Sequence, residues 1–237
     1  MFSMEKIKAQ IRTLEVLHCL SSGTGLAVAI APIIIIALYS GLLWNDGTNE
    51  ISRRMLIENN PVELATFVFL TLGSVQSMRL FLKRRASGQA GNLVWFYAVF
   101  SVSMLFVAME EISWAQWFFA FETPGIVANS NAQGELNLHN LKLWHDYIEA
   151  LPMMFGLGGL FGIGIARTKL FSDIAPSILL APWFMVIAAI SAIDLYHEYQ
   201  VHSTQLFAYV NHLDELIEMF VGVSGFLYVW LNSRGPK

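Results

Sequence analysis

Residues 23–44 read GTGLAVAIAPIIIIALYSGLLW, 22 positions without one charged side chain. The hydrocarbon core of a bilayer takes about 20 apolar residues in helical form, so this stretch is long enough to cross it. It exceeds the roughly 7–15 apolar residues of a signal-peptide core and follows a mixed-charge segment, which favours a span over a cleaved leader. Working outward, five more blocks qualify: 62–82, ending against Lys83, Arg84 and Arg85, then 92–121, 148–166, 176–196 and 212–232. The 237 residues are 55% hydrophobic and 14% charged, against about 45–50% and 25% in soluble domains, and mean hydropathy is +0.53. The blocks exceed the ~10-residue alternating strands of a porin-like barrel, and a helix satisfies its own backbone in lipid. The expected fold is an all-α polytopic membrane bundle of six transmembrane helices, one domain over 22–237. Before it, 1–21 form an interfacial amphipathic helix with Ile7, Ile11, Leu14 and Leu17 at helical spacing. No repeat or low-complexity tract interrupts this plan.

Lysine and arginine set the orientation. One side collects Lys6, Lys8, Arg12, Lys83 to Arg85, Arg167, Lys169, Arg234 and Lys237; the other has Arg53, Arg54 and Lys142. Both termini are therefore expected in the cytoplasm. The single cysteine, Cys19, would face a reducing compartment and form no disulfide. A net charge of −4 without a basic patch excludes a nucleic-acid partner.

Against this topology the acids fall into place. Residues 109–124, MEEISWAQWFFAFETP, put Glu110 and Glu111 about 27 Å (18 residues at 1.5 Å) from the inner end of the third span. The fifth span delivers Asp194, His197 and Glu198 to the same outer level, and the sixth begins there with His212, Asp214, Glu215 and Glu218. Glu63 opens the second span at that depth, and the loop after the third carries Glu135, His139 and His145. The three outer cations are too few to neutralise these carboxylates, so protons or a bound cation must balance them. Histidine mixed with carboxylate suits zinc first, with iron or manganese as alternatives. The expected metal ligands are Glu111, His139, His197, His212 and Glu215, with Asp194, Glu218, Glu110 and Ser113 as catalytic groups. Glu111 is taken as the inward member of its pair, Glu110 lying nearer Phe106 and Trp114. Glu215, Glu218, Gly222 and Gly225 form one stripe, whose small residues should turn it into the bundle.

Other motifs have plainer readings. HEYQVH separates its histidines by five residues, which rules out the common face a zinc protease needs. A serine at 113 more often bonds back to its own helix than serves as a nucleophile. GLGGLFGIG, 156–164, lacks the Lys-Ser/Thr ending of a phosphate loop and reads as a helix-packing surface. His18 is expected at the surface, His202 in water and His145 as a backbone cap.

The run EEISWAQ, then FETP and NAQGELNLHN, resembles the signature of a bacterial family of multi-pass membrane proteins. That family usually reads EEISWGQR, from which Ala115 and Trp117 depart. The resemblance covers about Glu110 to Asn140, with a weaker echo in HLDELIEM, and implies that Glu110, Glu111, Ser113, Gln116, Asn137, His139 and Asn140 act together. A fainter similarity is to the intramembrane zinc hydrolases that include alkaline ceramidases and adiponectin receptors, on the residue types Ser113, His139, Asp194, His197 and His212. Their HxxxH pair and seventh span are missing here. The expected function is a metal-dependent membrane hydrolase acting on a lipid or lipid-linked substrate at the outer leaflet. A di-iron oxidoreductase, a proton- or cation-coupled carrier and an accessory subunit of a larger complex are the alternatives, and homo-oligomers are compatible with each.

Overall fold

The computed structural model describes residues 4–44, 50, 61–88, 91, 93–119, 121–131, 136–137, 150–166, 168, 171–200 and 213–234. They form helices α1 (Met4–Leu17), α2 (Thr24–Trp44), α3 (Pro61–Ala86) and α4 (Val94–Glu111). Short helices α5 (Gln116–Phe119) and α6 (Gly125–Ser130) follow, then α7 (Ala150–Ile165), α8 (Ala181–Gln200) and α9 (Asp214–Arg234). α2, α3, α4, α9 and the Ile178–Tyr196 stretch are each long and apolar enough to cross a membrane, and α7 is a shorter apolar helix at the place of the fourth expected span. The protein is thus a multi-pass helical bundle. Its outward faces stay apolar, as Leu38, Val99, Val102 and Phe161 show with more than 60% of their surface open. Such faces require lipid around them.

Small and hydroxylated residues bring the helices together, as they do where lipid removes any hydrophobic drive between spans. α3 packs on α4 and α9. Along the α3–α4 seam the Ser101 hydroxyl donates to Ser74 O (2.8 Å) and that of Ser77 to Tyr97 O (2.7 Å). Met104 of α4 lies over Gly73 of α3 and Gly225 of α9, filling a notch that a Cβ at either glycine would close. Gly222 brings α9 against the Thr66 carbonyl of α3, so the stripe expected to turn inward does so. α7 packs on α8 through Gly156, where a Cβ would stand 2.8 Å from both Ala188 N and Phe184 O.

The N-terminal segment differs from expectation. His18 is no surface residue: it is buried, its Nδ1 3.2 Å from Leu231 O of α9 and its Nε2 3.2 Å from Ser177 Oγ. The carbonyl can only accept, so Nδ1 carries the proton and the neutral Nε2 accepts from the serine. Burial pushes this imidazole below its ordinary range, against a smaller opposing effect of the Leu231 bond. Glu15, on the same side of α1, is also buried, and its Oε1 accepts from Gly25 N at 2.9 Å. It thereby satisfies an otherwise unpaired amide in the first turn of α2. These two polar residues dock α1 onto the bundle.

A proline fixes α2 to α8. Pro32 sits inside α2 and has no N–H to give the carbonyl four residues earlier. That carbonyl, Val28 O, instead accepts from Trp183 Nε1 of α8 at 2.7 Å.

The bundle is polarised end to end. Glu63 opens α3 and Asp214 and Glu215 open α9, whereas Lys83 to Arg85 and Arg234 close them. At the basic end the Tyr97 hydroxyl donates to Asp173 O (2.6 Å) and that of Tyr228 to Ile174 O (2.6 Å). Arg84 also donates to Asp173 O, at 3.0 Å, so the 171–175 turn is held from three side chains on three helices.

Candidate functional site

At the acidic end, α4 stops at Glu111 instead of running on to residue 121 as expected. The next residues remain apolar, so hydropathy does not end the helix; backbone geometry does. Ser113, Trp114 and Ala115 take φ of 46°, 55° and 70°. This is left-handed space that costs a non-glycine residue about 1–2 kcal/mol. Three such residues in succession turn the chain away from the axis of α4, leaving the glutamate pair on its last turn.

Both members of the pair are buried, with 6% and 7% of their surface exposed. The Trp114 indole N–H donates to Glu110 Oε1 across the turn, in keeping with the expected Glu110–Trp114 proximity. Glu111 faces the remaining acids: Glu218 acts on it electrostatically most strongly, then Glu215, Glu63 and its neighbour Glu110. Glu63, Glu215 and Glu218 are half-buried. Three helix termini, the starts of α3 and α9 and the end of the antiparallel α4, therefore place five carboxylates at one end of the bundle.

The turn is tied to the chain that follows. Asn137 Nδ2 donates to Ser113 Oγ at 3.3 Å, and Gln116 Oε1 accepts from Leu136 N at 2.9 Å. Asn131 Nδ2 donates to Asn137 Oδ1 (2.7 Å) and to its carbonyl (2.9 Å), and both asparagines are buried. Ser113 is therefore held by a distant asparagine rather than only by its own helix. Nothing in the sequence distinguishes Asn131 from the other polar residues of its loop.

A cavity of about 360 Å³ abuts the pair. Leu70, Phe106, Val107, Leu151, Pro152, Phe155 and Val221 make its walls, and Glu110, Glu111 and Glu218 supply its carboxylates. Phe106, Val107 and Leu151 are exposed on the outside of the bundle, so the cavity opens sideways between α4 and α7. Its volume lies in the range of small-molecule sites, about 300–1,000 Å³.

The expected ligand set is brought together in part. Glu111 and Glu215 share the acidic end with Glu110, Glu218 and Ser113. Asp194 sits half-buried on α8 and does not line the cavity. His139 and His212, with Asn140, His145 and His202, lie outside the described residues, and His197 is placed on α8 by its backbone only. Among the described residues no three histidine, cysteine, aspartate or glutamate side chains group closely enough to hold a metal ion. Their carboxylate oxygens would need imidazoles from the remaining positions to complete a zinc site. Compared with known proteins, the chain matches no family model, no curated protein and no solved structure.

Proposed function

We propose that this chain is an integral-membrane enzyme, a hydrolase that acts on a lipid or lipid-linked substrate at the acidic end of its bundle. The observation that supports this reading is the juxtaposition of three carboxylates with an apolar cavity that opens sideways. A soluble substrate has no reason to enter from that direction; an amphiphile already in the bilayer does. The reading has six spans with α7 as the fourth, both termini in the cytoplasm of a bacterial inner membrane, and the acidic end facing outward. Acids that titrate or bind cations inside a membrane are functional by default.

In this scheme the carboxylates carry the chemistry. Glu218 accepts a proton from a water that attacks the ester or amide carbonyl, and Glu110 returns one to the leaving oxygen or nitrogen. Ser113, buried beside the pair and positioned by Asn137, orients the reacting group. A divalent metal held by Glu111 and Glu215 with His139 or His212 would acidify the water and polarise the carbonyl.

Two measurements on the full-length protein test the reading. Elemental analysis after purification is expected to find stoichiometric metal, lost in both Glu111→Ala and His139→Ala. Mass spectrometry of the co-reconstituted lipids is expected to find free acid accumulating with the native chain and not with Glu218→Gln. Metal-free protein that leaves every lipid intact would refute the enzyme. Copurifying chains would then indicate a subunit of a complex, and pH-driven uptake into vesicles a carrier.

A further inference from the structure

A second cavity, of about 410 Å³, shares Phe155 with the one at the glutamates and lies along the same gap, nearer the basic end. Its walls are Phe96 and Phe100 of α4 on one side and Gly158, Gly159, Phe161 and Gly162 of α7 on the other, with Tyr228 of α9 at the far end. No charged residue lines it. The gap exists because α4 packs on α3, and α7 on α8, without closing on each other.

The glycines of α7 are divided between two jobs. Gly156, Gly159 and Gly162 press on α8 and on Pro176, where a Cβ would meet its neighbours at 3.0 Å or less. Gly158 has nothing within 4 Å of the place its Cβ would occupy, yet it lines the cavity. From Leu151 to Ile165 the α7 wall runs 14 residues, about 21 Å. One leaflet of a ~30 Å core is about 15 Å deep, so the gap outreaches a leaflet.

The two ends differ chemically. At one end Glu111 is more than nine-tenths buried, lines the cavity and has no hydrogen-bond partner among the described residues. Glu110, Glu111 and Glu218 line that end, where no basic side chain lines the cavity. An anionic headgroup is repelled; an ammonium or a hydroxyl finds an acceptor.

We propose that the paired cavities form one binding groove for a long, single-chain lipid, whose amine- or hydroxyl-bearing end meets Glu111 and whose hydrocarbon tail runs past Phe155 along Gly158 to Tyr228. This names the substrate class of the site and rests on reading the glutamate cavity as the place where substrate enters.

The test uses the full chain in phosphatidylcholine vesicles, with hexadecylamine carrying a diazirine midway along its tail as the photolabel. Hexadecyl phosphate with the same diazirine and an octylamine analogue serve as comparators. Light is expected to attach the amine to α7 and to the Phe96–Phe100 segment, roughly tenfold more than the phosphate, with the octyl analogue labelling only near Leu151. Gly158→Leu fills the groove without touching α8 and should abolish labelling beyond Phe155. Gly164→Leu, the same change on an exposed face of the same helix, should not. Glu111→Gln should erase the preference for amine over phosphate. Equal labelling in Gly158→Leu, or equal labelling by amine and phosphate in the native chain, overturns the groove. Labelling as expected from a chain that hydrolyses nothing keeps the groove and refutes the hydrolase. Hydrolysis by a native chain that shows no tail labelling does the reverse.

Discussion

Ala115→Gly is expected to stabilise this protein, the opposite of its effect inside a helix. Ala115 holds φ at 70°, where an L-residue's Cβ crowds the following carbonyl at a cost of about 1–2 kcal/mol. Glycine removes that crowding but brings extra freedom to the unfolded chain, about 0.4–1 kcal/mol. The net gain is about 0.8 kcal/mol at the middle of both ranges, within limits of about 0–1.6. Its neighbours are poorer probes, because Trp114 bonds Glu110 and Ser113 bonds Asn137, whereas Ala115 contributes only a methyl group. Helical circular dichroism followed through an SDS titration in mixed micelles reads the change. Ala108→Gly is the matched control: it is fully buried in the right-handed body of α4 and should lose about 1 kcal/mol in propensity. Opposite signs for the two variants are the expected result. If both lose stability alike, residue 115 does not hold a left-handed conformation, and the account of why α4 stops at Glu111 fails.

The same titration checks three more expectations. Trp183→Phe should cost about 0.6–1.7 kcal/mol, the range for hydrogen bonds between membrane helices. In a Pro32→Ala background the cost should shrink, because the new amide reclaims Val28 O, and a double-mutant cycle reads that coupling. Asn137→Ala should cost about 0.5–1.5 kcal/mol for each of the two side-chain bonds it removes, to Asn131 and to Ser113, while the Asn131 amide keeps its bond to the carbonyl of residue 137. For His18 the sign follows from burial: the folded state disfavours the imidazolium, so the unfolded chain binds its proton first. Its contribution is present above the ordinary value of 6.5 and lost as pH falls through the lower folded value. His18→Gln should flatten that acid limb while the limb due to carboxylates remains.

Hydropathy made the spans legible, because lipid demands long uncharged runs and helices alone satisfy them. Helix phase then placed Glu63, Glu111, Glu215 and Glu218 together, since antiparallel spans return each acid to the same end. The end of α4 was hidden. Residues 112–121 stay apolar, and the sign of φ leaves no trace in hydropathy. Alanine stands at position 115, so glycine, the clearest mark of a left-handed turn, is missing there. His18 misled for a different reason. A polar residue at the end of a short helix is read as facing water, but this one meets Leu231 O, a backbone group of a helix distant in sequence. Such partners appear only once the helices are docked.

The bond between Val28 O and Trp183 Nε1 has a consequence for the order of assembly. Its partners are 155 residues apart, which at about 5–20 residues per second of synthesis is roughly 8–31 s. α2 leaves the ribosome well before α8 and must wait in the bilayer with one carbonyl bare until Trp183 is made. Pro32 thus sets a timetable: α2 is made well before the partner that clasps it, and a synthesis that stalled before Trp183 would leave that carbonyl adrift.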